Sequence, residues 1–242
     1  MFFVQSCWIH CAIDPSLLNP PPNSPPPTHQ HAATNRFDHH QRGFAETFAL
    51  NGHATKLSSA GLVYKHHGRE VVAALGNLPL GSPEAEAVYL AVYRSFVEAI
   101  DAVDNGVNAW EGDAPPRYTN STDLSSRVGK LNPNWNEDSS EPELRRRFDL
   151  AVELAGKEFT DAVRYYAGAW LPARALVIKD LDARMGVDAS GEIMALGSFC
   201  PWKEHLHALE AEQGIAGKVK YVLYEDDREN TWRVQAVATS PG

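Results

Sequence analysis

The sequence predicts an α/β protein in two parts: an incomplete metal-binding domain, then an α+β domain carrying an antiparallel sheet. Three observations predict it. Helical periodicity dominates the front of the chain, strand-like alternation appears only near the end, and a Pro-rich stretch occupies the start. At 242 residues the chain is long enough for one large or two modest domains.

Residues 1–34 read as a leader without packed structure. The run from Asn19 to Thr28 is polyproline-like and cannot enter a helix or sheet interior. Met1 to Ile13 has an apolar start but no basic segment and no small-residue cleavage site, so a secretory signal is not expected. His29 and His31 read as solvated linker. The three cysteines, Cys7, Cys11 and Cys200, form neither a disulfide framework nor a paired zinc motif, which points to a reducing compartment.

Folded sequence is expected from Asn35. Ser58 to His67 reads as a helix capped by Thr55 or Ser58, with small residues that allow close packing and with Gly68 as its stop. Ser82-Pro83-Glu84 opens the clearest helix: an N-cap, a proline at the first helical position and acids in the first turn. Its apolar stripe runs Leu90, Tyr93, Val97, Ile100, and its next member is Asp104. An acid on that stripe reads either as a ligand or as the cap of a turn at Asn105-Gly106. Residues 111–142 are loop-rich, with a short helix around Ser125, Val128 and Leu131.

A long helix is expected from Glu143 to about Trp170, one face apolar through Phe148, Val152, Ala155, Phe159, Ala162 and Tyr166. Arg145, Arg146 and Arg147 in its first turn read as a solvated basic patch, with a phosphate-facing role as the alternative. After Leu171-Pro172 the period changes, and Ala175 to Ile178 reads as a short strand. Glu192 to Leu196 reads as another, Trp202 to Glu212 as a helix, and Val219–Tyr224 with Trp232–Val237 as a hairpin. The domain division is placed at 142/143, giving 35–142 and 143–242.

The net charge of −9 excludes a surface built to coat nucleic acid. No run of about 18 apolar residues occurs, so no membrane-spanning helix is expected. The sequence also lacks a P-loop, a dinucleotide-binding glycine motif and a serine-hydrolase elbow. What stands out is Arg36-Phe37-Asp38-His39-His40-Gln41-Arg42, with Asp101-Ala102-Val103-Asp104-Asn105-Gly106 further on. Carboxylates take hard divalent cations, and an imidazole shifts the preference toward Mn²⁺. Asp38 and His39 are candidate ligands, Asp104 or Asp101 the candidate from a second element, and His40 a donor to a substrate phosphate. Asp38 and His40 are the candidate catalytic groups.

These segments resemble the DHH phosphoesterase superfamily, and within it the MYG-type (melanocyte proliferating gene) branch. Further matching stretches are Thr55–Tyr64, Phe96–Gly106, Leu124–Trp135 with its Leu-Asn-Pro-x-Trp, Pro201–Leu206, and Tyr221–Tyr224 with Trp232–Ala236. The resemblance spans residues 35–238. It implies a two-domain protein with an Mn²⁺ or Mg²⁺ site, hydrolysing phosphodiesters as a 3′-to-5′ RNA exonuclease in the nucleus or mitochondrion. RNA ends or another phosphodiester are the implied partner, and no membrane. Asp38, His39 and His40 match the superfamily's third motif, and Asp104 or Asp101 the fourth.

The branch's opening strand, its His-Asn-Gly-x-Phe-His-x-Asp-Glu motif and its C-terminal Gly-rich segment have no counterpart here. The expectation is therefore a chain truncated at both ends, with an impaired metal site. A non-catalytic, partner-binding remnant is the alternative, and a pyrophosphate or small-dinucleotide hydrolase a second one.

Overall fold

A computed structural model describes residues 37, 39–40, 42–110, 112, 117–226 and 231–239. The leader and Asp38 lie outside the described residues. The chain divides into two compact units, the first ending at Tyr166 and the second starting at Ala167. No helix among the described residues is long and apolar enough to cross a membrane.

In the first unit, α1 spans Ser59–Gly76, α2 Pro83–Val92, α3 Glu98–Asp104, α4 Leu124–Gly129 and α5 Glu141–Tyr165. Ser58 caps α1 by accepting from the Gly61 N–H, as its residue type predicts. The helix does not stop at Gly68. It runs on to Gly76 and closes on Asn77 in the left-handed conformation. Gly68 serves packing instead: a Cβ there would lie 2.9 Å from the rings of Tyr64 and Tyr89. The glycine lets α2 approach α1 against these two stacked tyrosines, whose centroids are 4.9 Å apart. Phe48 stacks on Tyr93 at 3.6 Å, and Phe159 of α5 meets Tyr64 edge-on, so aromatic rings form the centre of this core.

Ser82 caps α2, with Pro83 in the first turn, as expected. Between α2 and α3 the helix widens into a π turn over Tyr93–Val97. The wider i→i+5 turn retards every later residue around the axis. The apolar stripe therefore slips, and Asp101, not Asp104, follows Tyr93 and Val97 into the fully buried position. Asp104 ends the helix at the rim, with Asn105 as its C-cap. Ahead of α1, a small hairpin bridges Thr47 to Lys56, and Ala49, Asn51 and Gly52 take positive φ at its tip. The Asn105 side chain donates to the Lys56 carbonyl at 2.9 Å, tying that hairpin to the end of α3.

The helix expected from Glu143 begins at Glu141. A second π turn follows over Tyr166–Trp170, and helix then resumes. In the second unit α6 spans Leu171–Asp182 and α7 Arg184–Val187. The strand expected at Ala175 to Ile178 is thus helical. Ala173, Val177 and Leu181 are its buried positions, a helical spacing that the β-branched run Val177-Ile178 disguises. Pro172 sits in the first turn of α6, where its missing N–H costs nothing.

The sheet has the order β1–β2–β3, with β1 Ile193–Ala195, β2 Tyr221–Asp226 and β3 Thr231–Ala236. Helix α8, Lys203–Glu212, connects β1 to β2. The expected hairpin is present: β2 and β3 pair antiparallel, Tyr221 opposite Ala236. The sheet is nevertheless mixed rather than antiparallel, because β1 pairs parallel to β2, Ile193 opposite Tyr221. The crossover helix dictates this, since a strand that returns through a helix arrives in the same direction. Met194, Val222, Leu206, Leu209, Val177 and Trp202 form the core beneath. Glu210 is wholly buried. It accepts from the N–H groups of Gly217 and Val219 at 3.0 and 2.6 Å, fixing the entry to β2.

Replacing Gly68 by Ala should cost about 1–3 kcal/mol through overpacking of the tyrosine pair. Urea denaturation checks this, and a variant within a few tenths of wild type would contradict the packing role.

Candidate active site

The N-terminus of α1 organises the candidate residues. The first N–H groups of a helix have no partner within it and must find acceptors elsewhere. The Ser58 N–H donates to Asp101 Oδ1 at 2.9 Å, and the Ser58 hydroxyl donates to the same oxygen at 2.6 Å. The next N–H, that of Ser59, donates to His39 Nδ1 at 3.1 Å. Two successive positions thus hold two candidates from different parts of the chain.

Asp101 is fully buried and receives a third bond, from the Tyr93 hydroxyl to Oδ2 at 3.0 Å. Burial pushes its carboxyl up to about 6, against the three bonds that favour the ion. Burial also raises the Tyr93 phenol far above its ordinary range, helped by the Asp101 charge, so this hydroxyl remains a donor. Gly61 makes room for the carboxylate. A Cβ there would stand 2.3 Å from Asp101 Oδ1.

His39 is 3% exposed. Its Nδ1 edge faces Ser59, whose hydroxyl oxygen lies 3.0 Å away in addition to the N–H. Its Nε2 edge faces Asp104, with Nε2 to Oδ2 at 2.8 Å. Oδ2 is buried, and this imidazole contact is the one it makes among the described residues. A buried carboxylate oxygen beside an imidazole nitrogen can share a proton with it or, with that nitrogen unprotonated, share a cation. His40 is exposed, its ring centroid 4.0 Å from that of His39.

The structure therefore brings His39 and Asp104 together and commits both Asp101 oxygens to Ser58 and Tyr93. Among the described residues no group of three or more His, Cys, Asp or Glu is arranged to hold a metal ion. Asp38 is outside them. Sequence reasoning overlooked two features. Ser59 stands beside a recognised cap, and the doublet Ser58-Ser59 was the available signal. His53 pairs with Glu98 at 2.8 Å, and Thr55 donates to the same carboxylate, one turn before Asp101. No local pattern announces that contact.

The arginines at the start of α5 are paired with acids. Arg145 pairs with Asp149, Arg146 with Glu143, and Arg147 with both Glu143 and Glu137. These charges are balanced within their own segment. Cys200 is buried and its thiol is raised by that burial, the opposite of an activated nucleophile.

The family model of the MYG1 exonucleases, described as an uncharacterised protein family (UPF0160), matches residues 28–242. The chain belongs to the MYG1 family. The MYG1 protein of Dictyostelium discoideum is 44% identical over 202 residues, covering 84% of this chain and 60% of that protein. The MYG1 exonuclease of Mus musculus is 44% identical over 217 residues, 86% of this chain and 55% of that protein. That of Homo sapiens is 42% identical over 215 residues, 85% and 55%. The chain thus spans little more than half the length of these relatives. No solved structure matches it.

The raised Asp101 carboxyl makes stability depend on pH. Its contribution is fully present below the ordinary value of 3.8 and is lost as pH rises through about 6. Two units correspond to roughly 3 kcal/mol. The unfolding free energy of wild type minus that of Asp101→Asn should fall by about that amount between pH 4 and pH 7. A flat difference across paired denaturation curves would contradict the burial argument. Independently, Gly61→Ala should destabilise by ~2 kcal/mol or more, because the intruding Cβ meets a buried carboxylate rather than a flexible tail. Thermal melting at neutral pH measures it.

Proposed function

We propose that this chain is a divalent-metal-dependent phosphodiesterase that removes nucleotides from the 3′ end of RNA, with Mn²⁺ or Mg²⁺ held by His39 and Asp104. The observation that carries this reading is the His39–Asp104 contact. A loop imidazole and a helix-end carboxylate, 65 positions apart, meet at 2.8 Å, and the buried Oδ2 makes no other contact of this kind among the described residues. The exonuclease name of the mouse and human relatives supports the reaction class. Asp38 joins the set as a third ligand by its place in the motif. A bound cation supplies charge neutralisation at the phosphate and an acidified water.

The chain's own residues do the rest. His39 presents a nitrogen whose ring is fixed by Ser59, and Asp104 presents an oxygen fixed by the end of α3. His40, exposed beside them, offers an N–H to a phosphate oxygen. Asp101 holds α3 against α1 through Ser58 and so sets where Asp104 stands. The nucleus and the mitochondrion are the proposed locations.

A partner-binding protein without catalysis is the second reading. It is favoured by the lack, among the described residues, of three grouped ligands.

Titration with Mn²⁺ by calorimetry decides between them, alongside digestion of a 5′-labelled RNA. Saturable binding with stepwise shortening is expected. Asp104→Ala and His39→Ala should each lower the rate at least about 100-fold, as loss of a ligand does. Absence of saturable Mn²⁺ binding by the wild-type chain would remove the catalytic reading.

A further inference from the structure

We infer that the outer edge of β3 is a self-association surface: two copies of this chain pair β3 with β3, antiparallel about a twofold axis at Val234, into one continuous sheet. The inference is independent of the metal reading above.

β3 is the last strand in the order β1–β2–β3, so among the described residues it pairs with β2 alone. An open strand edge offers a row of N–H and C=O groups to any strand that reaches it. The register tells which residues carry those groups. The Val237 N–H donates to the Lys220 carbonyl at 2.8 Å, so Val237 turns its backbone groups toward β2. That direction alternates along a strand. Arg233 and Gln235 therefore also face β2, opposite Tyr224 and Val222. Trp232, Val234 and Ala236 present their N–H and C=O groups to the open edge. The run Thr231–Ala236 has none of the usual guards of an edge: it holds no proline and no lysine, and its one charge, on Arg233, is paired with Asp226.

The strand is complementary to itself, which selects a second copy as the partner. Self-pairing centred on Val234 sets Val234 opposite its counterpart and Trp232 opposite Ala236 of the second copy. All these residues have outward backbone groups, so every such pair exchanges both hydrogen bonds. Arg233 then falls opposite Gln235 of the second copy, and no like charges meet. Moving the axis one residue either way carries an outward-facing residue past the end of the other strand. An axis at Arg233 also opposes two arginines. One register alone satisfies backbone direction, strand length and charge together.

The side chains reinforce this register. Trp232 and Val234 are 63% and 67% exposed, and they lie on the sheet face opposite the one that carries the buried Met194 and Val222. The half-exposed Tyr221 shares their face, as does Leu223 opposite Val234. Pairing lays each Trp232 over the small Ala236 of the other copy and diagonally against its Val234, within reach of an indole. The two apolar strips then become one. A six-residue strand is small against the roughly 800 Å² per partner of a stable interface, so a dissociation constant of about 10–100 μM is expected.

The test uses the full chain, with sedimentation velocity from about 1 μM to about 1 mM and amide hydrogen exchange at both ends of that range. A monomer–dimer equilibrium is expected. The amides of Trp232, Val234 and Ala236 should slow at high concentration, while those of Arg233 and Gln235, bonded to β2, are slow throughout. Val234→Lys opposes two ammonium groups at the axis and should weaken association at least about tenfold, with melting at low concentration little changed. Val234→Thr should keep it. A chain still monomeric at the highest concentration overturns the inference. Association that leaves the three outward amides fast also overturns it, because the contact then lies elsewhere. The same three amides slow at every concentration would mean that a segment of the chain itself covers the edge, which overturns it too. If Val234→Lys does not fold, the wild-type exchange pattern decides by the same outcomes.

Discussion

The start of α1 is the constraint on which the first unit depends. Two consecutive backbone N–H groups, those of Ser58 and Ser59, have no partner within the helix. Each takes a side chain from elsewhere: Asp101 from α3 and His39 from the segment before the hairpin. Hydrogen bonds to a charged acceptor contribute about 1.5–3 kcal/mol each, yet Asp101 still has its carboxyl pushed up to about 6. Desolvation therefore outweighs the bonds at this position. A buried acid that does not raise stability at neutral pH has its explanation in placement. It fixes α3 relative to α1, and with it the spot where Asp104 ends the helix. Gly61 follows from the same requirement, because no residue with a Cβ leaves room for the carboxylate.

The second unit uses acids in a similar way, without candidate chemistry beside them. Glu210 holds the backbone of Gly217 and Val219, and Asp180 accepts from the Gly197 N–H at 3.0 Å. In both cases a helix lends a carboxylate to a loop that feeds or leaves a strand. Irregular backbone near a core must satisfy its N–H groups somewhere, and a fixed carboxylate satisfies two at once. Buried acids are thus a structural habit of this chain, and burial alone does not mark one as functional. What separates Asp104 from Asp101, Asp180 and Glu210 is that its buried oxygen faces an imidazole instead of backbone or hydroxyl donors.

Capping chemistry was the most legible part of the fold. Ser58 and the Ser82-Pro83 pair start the helices predicted for them, because those residue types act within one turn. The alternation in Val219–Tyr224 and Trp232–Val237 likewise fixed a hairpin, since strand pairing there is local. The misreadings share a non-local cause. Gly68 looked like a stop because its role, contact with the rings of Tyr64 and Tyr89, depends on a second helix. Ala175 to Ile178 looked like a strand because two β-branched residues fall together. The sheet's mixed pairing depends on the path of α8. The π turn at Tyr93–Val97 has no composition signature, yet it decides which of two aspartates is buried. In the candidate site, Asp104 and His39 were legible as residue types, and their meeting was expected from the resemblance. The contact of Ser59 with His39 was not legible, because it depends on which atom of a distant histidine faces the helix start.

Helix ends of opposite polarity frame the His39–Asp104 pair. His39 presents Nδ1 to the N-terminus of α1, where the helix carries partial positive charge and exposed N–H groups. A helix N-terminus favours acceptors and negative charge. Asp104 closes the helical run that begins at Pro83, at the end where partial negative charge accumulates. A carboxylate there adds like charge to like, an arrangement unfavourable by itself and relieved by a cation. The His39–Asp104 contact, 2.8 Å long and nearly closed to water, thus joins the start of one helix to the end of another.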